Sequence, residues 1–185
     1  VGLIRIISGE FKGRRIRVPV GLGVRPTSDR VREALFSILG ERIPGARVLD
    51  AYSGSGALGF EALSRGAREV IFVELDRRTA DVLEENAATL GVSDRCRAFV
   101  AAMDELLAGE PPGGTFDVVL ADPPYAAGEA ARFLPLVSAP EWLSHDGLIV
   151  LERDRRTMPV DTAGHGLVLA RTVRYGSTCL DFYRR

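Results

Sequence analysis

From Arg47 onward the chain alternates short apolar runs with segments long enough for amphipathic helices, and this alternation constrains the fold more than any other feature. The apolar runs fall at 48–50, 70–73, 98–100, 116–121 and 148–151. Between them, helical spacing predicts helices over 57–65, 77–90, 103–108 and 129–137. Strands that alternate with helices build a parallel sheet through right-handed crossovers, and the continuously apolar strands require helices on both faces. The end departs from the pattern. Runs at 167–175 and 178–183 meet at Gly176-Ser177, a turn pair with no helix between them, so an antiparallel hairpin closes the chain. The expected class is α/β with a mostly parallel sheet.

Before this region lies a segment of different character. Stretches 4–7 and 14–18 flank Ser8-Gly9-Glu10, and 15–18 alternates with period two, which predicts a small basic β-hairpin extension over 1–26 ahead of a Rossmann-like domain over 27–185. Thr27 or Ser28 is placed to cap a helix whose apolar face is Val31, Ala34, Leu35, Ile38 and Leu39. The net charge is only −1, yet residues 1–32 hold eight Lys/Arg against two acids. Such a segment on an otherwise acidic chain suits a polyanion such as RNA phosphate, with Arg5, Lys12, Arg14, Arg15, Arg17 and Arg25 as the expected contacts. No stretch approaches the roughly 18 uncharged apolar residues of a membrane span, and no signal-peptide pattern opens the sequence, so a cytoplasmic protein with no membrane partner is expected. Cys96 and Cys179 have no metal-type spacing, and His145 and His165 are isolated beside Gly and Asp, so no metal is assigned.

Residues 48–59, Val-Leu-Asp-Ala-Tyr-Ser-Gly-Ser-Gly-Ala-Leu-Gly, run from a buried strand through a glycine loop into a helix. Gly54, Gly56 and Gly59 satisfy a dinucleotide-type pattern. Glu74, with Leu75 after it, ends the next strand about 20 residues on, where a carboxylate accepts ribose hydroxyls. A nicotinamide dinucleotide and S-adenosylmethionine both fit such a loop. Asp50 tips the reading: a carboxylate at the strand end is awkward beside a pyrophosphate and favourable beside a sulfonium cation. Asp50, Ser53, Gly54, Ser55, Gly56, Glu74 and Leu75 are therefore expected to bind S-adenosylmethionine.

Asp122-Pro123-Pro124-Tyr125 follows the apolar run 116–121, at the edge where open α/β sheets bind ligands. An exocyclic amine on a nucleic-acid base is a poor nucleophile, because its lone pair is delocalised into the ring. Acceptors that hold its N–H groups expose that lone pair; the Asp122 carboxylate and the Pro123 carbonyl are expected to supply them. Pro123 and Pro124 fix the backbone, and Tyr125 offers a face on which an extruded base stacks. These four are the expected catalytic residues.

With both motifs in hand, nearly the whole chain resembles the RsmD family, the guanine N2-methyltransferases of bacterial 16S rRNA. The resemblance rests on Arg5-Ile6-Ile7-Ser8-Gly9 with Lys12-Gly13-Arg14, on residues 25–33 (Arg-Pro-Thr-Ser-Asp-Arg-Val-Arg-Glu), on Gly54-Ser55-Gly56-Ala57-Leu58-Gly59, and on Asp122-Pro123-Pro124-Tyr125. It implies a class I S-adenosylmethionine-dependent methyltransferase: a seven-stranded sheet with its last strand reversed, acting without metal, as a monomer, on 16S rRNA in the small ribosomal subunit or its assembly intermediate. It also implies that Thr27 donates a hydroxyl to the methionine carboxylate of the cofactor. One departure stands out. Relatives commonly carry an acidic residue after the third strand of the parallel sheet to meet the adenine amino group, whereas this chain has Val100-Ala101-Ala102-Met103. Either Ala102 and Met103 cradle adenine, or Asp104 reaches back to it. Outside the resemblance, a DNA amino-methyltransferase, lacking any extra domain to read a duplex, and a non-catalytic RNA-binding assembly protein are the competing readings.

Overall fold

A computed structural model describes residues 2–19, 28–124, 128–162 and 164–185. In chain order the elements are strands β1 (Gly2–Arg5) and β2 (Arg15–Val18), helix α1 (Asp29–Leu39), β3 (Arg47–Ala51), α2 (Ala57–Ser64), β4 (Glu69–Glu74) and α3 (Arg77–Leu90). There follow β5 (Cys96–Val100), α4 (Met103–Leu107), β6 (Phe116–Ala121), α5 (Glu129–Val137), β7 (Leu143–Asp154), β8 (Val168–Tyr175) and β9 (Thr178–Arg184).

β3 to β9 form one seven-stranded sheet in the order β5-β4-β3-β6-β7-β9-β8. β3 to β7 run parallel, and β9 enters antiparallel between β7 and β8. The reversed strand is thus the last in sequence, because the tight turn at Gly176-Ser177 allows only an antiparallel return. Every residue of β3 is buried. Alternate residues feed two separate cores. Val48, Phe72, Val118, Leu120 and Val150 pack with α1, α2 and α3 on one face; Leu49, Ile71, Val119, Ile149 and Leu151 pack with α4 and α5 on the other. β7 is longer than its apolar run at 148–151, since Leu143 already pairs with Phe116 across a bulge and β9 continues the ladder to Asp154.

The basic hairpin β1–β2 is a two-stranded sheet of its own, but it is not a free arm. Ile6, Phe11 and Ile16 join the core of the α1–α3 face. The buried Glu61 carboxylate of α2 accepts from Ile7 N at 2.8 Å and Ser8 N at 3.1 Å, and Arg65 Nε donates to it at 2.7 Å. Asn86 of α3 pairs both ways with the backbone of Arg17, at 2.8 and 2.9 Å. Gly9 has φ 83°, and a Cβ there would sit 1.8 Å from the carbonyl oxygen of Ser64, so only glycine permits this approach. The boundary expected at residue 26 lies outside the described residues. Ser28, rather than Thr27, caps α1, accepting from Val31 N at 3.4 Å.

Candidate active site at the carboxyl edge of the sheet

The site begins where β3 ends. Asp50 is buried, and its Oδ2 accepts from Gly59 N at 2.8 Å, tying the strand end to the first turn of α2. A Cβ on Gly59 would lie 2.2 Å from the Phe72 ring and 2.9 Å from that carboxylate oxygen, so glycine is required for the contact. Burial pushes the Asp50 carboxyl up to about 8, helped by Asp122 and Glu74 and opposed by the Gly59 N–H. Tyr52 takes the left-handed backbone (φ 59°), which turns the chain sharply out of the strand. Ser53 staples the loop to β4: its N–H donates to Val73 O at 2.9 Å and its Oγ accepts from Val73 N at 2.8 Å. Glu74, at the end of β4, accepts from Gly54 N and from Asp76 N, both at 2.9 Å, one through each carboxylate oxygen.

Residues of this loop line a cavity of about 560 Å³ together with Asp122, Pro123 and Pro124, which follow the neighbouring parallel strand β6. A cavity this size, mostly apolar with a few convergent polar groups, is typical of small-ligand sites. Asp50, Ser53, Gly54, Ser55, Glu74, Leu75, Ala102 and Met103 all line it, as expected positions for a cofactor. Gly56 does not; it stands at the N-terminus of α2, where a Cβ would strike Leu83 at 2.5 Å. Leu75 is 71% exposed at the cavity wall, which leaves apolar surface for a flat ring to cover. Asp104 does not line the cavity. It lies in the first turn of α4 and faces Arg132 at 4.0 Å, so Ala101, Ala102 and Met103 form that wall.

Asp122 follows β6 directly and is half-buried, with Pro123 buried and Pro124 exposed. Ala121 pairs with Leu151, so the next step along both parallel strands sets Asp122 beside Glu152. Burial, and then the Glu152 charge, push the Asp122 carboxyl up to about 7. Two further cavity-lining residues with polar side chains, Tyr52 and Glu129, were not singled out from the sequence. Tyr52 was legible within the loop as an aromatic residue between strand and glycines. Glu129 had no sequence signal beyond its place in the first turn of a helix. The Tyr52 hydroxyl donates to Glu129 Oε1 at 2.8 Å, and burial with this bond pushes the phenol upward. Thr27, Arg25 and Tyr125 lie outside the described residues.

The remaining basic residues fall into two groups. Arg14 donates to the carbonyls of Thr89 and Leu90, where α3 ends, and Arg17 pairs with Glu85. Arg5 pairs with Asp29 at 3.3 Å. Lys12 and Arg15 are exposed and form no ion pair with the described residues. Among those residues no group of three or more His, Cys, Asp or Glu is placed to hold a metal ion, and no helix is long and apolar enough to cross a membrane. Both cysteines are buried, and burial pushes the Cys96 thiol up to about 11, away from reactivity.

A glycine-looped cavity at the carboxyl edge of a seven-stranded sheet with a reversed last strand defines a class I S-adenosylmethionine-dependent methyltransferase fold. Residues 4–184 match the family model described as conserved hypothetical protein 95. The chain is 38% identical over 178 residues to ribosomal RNA small subunit methyltransferase D of Escherichia coli strain K12, covering 94% of this chain and 88% of that one. It is 39% identical over 155 residues to the protein of the same name from Haemophilus influenzae, covering 83% and 80%. Among solved structures, yhhF from Escherichia coli superposes with a TM-score of 0.86 at 37% identity, covering 100% of this chain and 98% of that one. The chain belongs to this family, the RsmD family.

Proposed function

We propose that this protein transfers a methyl group from S-adenosylmethionine to small-subunit ribosomal RNA, at the exocyclic N2 of a guanine extruded into the cavity. The observation that carries this reading is that one cavity joins both motifs: Gly54 and Glu74 line it together with Asp122, Pro123 and Pro124. The names of the 38% and 39% identical relatives support ribosomal RNA as the substrate.

The residues present fit the cofactor. Glu74 spends one lone pair of each oxygen on a backbone N–H, so acceptor capacity remains for ribose hydroxyls. Leu75, Ala102 and Met103 offer apolar surface for adenine. When bound, S-adenosylmethionine supplies an electrophilic methyl group on a sulfonium. The protein's part is to hold the amine in line with that methyl and to accept its N–H groups on the Asp122 carboxylate and the Pro123 carbonyl. After transfer the nitrogen carries a surplus proton, and an Asp122 carboxyl held at about 7 is a far better acceptor than an ordinary carboxylate. Tyr125 follows the prolines and supplies the stacking face. Among the described hairpin residues, Lys12 and Arg15 are exposed without an ion pair and are free to meet RNA phosphates, whereas Arg14 and Arg17 also hold the hairpin in place. The protein acts as a monomer in the cytoplasm, on the small subunit or its assembly intermediate.

The test is transfer of a labelled methyl group to small subunits from cells lacking the endogenous enzyme, followed by nucleoside analysis. N2-methylguanosine at one site is expected. Label in adenine or cytosine overturns the base assignment, and label only in duplex DNA overturns the RNA substrate.

A further inference from the structure

We infer that Tyr52 and Glu129 are positioning residues that latch the cofactor loop to the helix following the base-binding edge, an inference that rests on the methyl-transfer reading above. Tyr52 belongs to the loop between β3 and α2, directly before Ser53 and Gly54. Glu129 is the first residue of α5, the next described element after Asp122-Pro123-Pro124 apart from Gly128. Their single hydrogen bond, 2.8 Å long, joins two residues that both line the cavity, one from the loop after β3 and one from α5.

Three features make this a device rather than a chance contact. Tyr52 holds a left-handed backbone (φ 59°), a strained conformation for an aromatic residue, and its phenol reaches Glu129 of α5. Its ring also packs edge-on against Phe133 of the same helix, with centroids 5.5 Å apart, so α5 grips the side chain at two points. Glu129 divides its oxygens: Oε1 accepts from Tyr52, and Oε2 accepts from Arg132 at 2.6 Å, while Arg132 faces Asp104 of α4 at 4.0 Å. The chain of contacts therefore runs from the cofactor loop through α5 to α4, three elements that border one cavity. Ordering the cofactor loop stiffens α5 through this bond. Because reacting atoms tolerate little misplacement, the bond governs turnover more than cofactor affinity.

Tyr52→Phe removes the hydroxyl and keeps the ring on Phe133. The expected result is a kcat lowered about tenfold with cofactor Kd changed less than about twofold. Glu129→Ala lowers kcat equally, and the double variant is no worse than either. Glu129→Gln retains most activity, because its amide oxygen still accepts from the phenol. A wild-type kcat in Tyr52→Phe, or additive losses in the double variant, overturns the latch. An arm independent of activity measures amide hydrogen exchange in α5. S-adenosylhomocysteine is expected to slow it in the wild type and to leave it unchanged in Tyr52→Phe; equal slowing in both overturns the inference. If wild-type protein methylates no small-subunit RNA, the functional reading falls, and the exchange arm still decides the latch.

Discussion

Asp122 carries the most chemistry of any single residue, and its behaviour is set by neighbours that are distant in sequence. Its carboxyl stands at about 7 because burial and then Glu152 disfavour the charged form. In the proposed reaction the ionised form accepts the amine's N–H, so kcat is expected to fall as pH drops through about 7. Glu152→Gln removes one cause of the shift, and the acid limb of the pH–rate profile should move to lower pH. Asp122→Ala should lower kcat by about 10²- to 10⁴-fold while cofactor Kd stays within about twofold; a variant with normal turnover would overturn the role. The tetrapeptide was readable from sequence as a candidate amine-binding edge, and its first three residues line the cavity. The pairing with Glu152 was not, because it exists only once β6 and β7 lie in register.

At the scale of elements, the hairpin β1–β2 docks onto α2 and α3 and also carries the proposed phosphate contact. The basic composition of this segment pointed to a phosphate contact, and the structure divides its cations between docking and exposure. Lys12→Gln with Arg15→Gln should leave stability unchanged, weaken RNA binding and reduce the log–log salt slope by roughly 1–2, as measured by filter binding at several salt concentrations. Docking depends instead on Glu61, a fully buried carboxylate that holds two backbone N–H groups of the hairpin and the Arg65 guanidinium. Glu61→Ala leaves these donors unpaired and should cost about 3–5 kcal/mol in urea unfolding. Nothing in the local sequence marks Glu61 as buried; it sits in the middle of α2, and only the arrival of Ile7 and Ser8 from 54 and 53 residues away makes the burial tolerable.

For the whole molecule, the carboxyl edge of the sheet is a place where stability is traded for a working site. Asp50 and Asp122 both have folded-state values raised above the ordinary carboxylate range, to about 8 and about 7. The native protein therefore binds protons more tightly than the unfolded chain. Their contribution to stability is fully present below the unfolded value of 3.8 and is lost as pH rises through about 7 to 8. Asp50→Asn keeps an acceptor for Gly59 N but removes the titration, so its unfolding free energy should vary less between about pH 5 and pH 8 than that of the wild type. Chemical denaturation at the two pH values measures this; an unchanged difference would show that Asp50 does not titrate in that window.

The alternation of apolar runs and helices determined the parallel sheet by itself, because each strand's apolar run and each helix's spacing are local properties that only one layered arrangement buries. The glycine loop and Asp122-Pro123-Pro124 were legible as candidate cavity segments for the same reason: each is a run of neighbours in sequence, and both line the one cavity. Tertiary structure alone decided what spans those segments. It set the Tyr52–Glu129 bond at the cavity, placed Glu152 beside Asp122, committed Arg14 and Arg17 to docking, and sent Asp104 to Arg132 rather than to the cavity. Each of these joins residues whose separation along the chain carries no periodic signal, and each is fixed by strand register and helix packing, which exist only in the folded molecule.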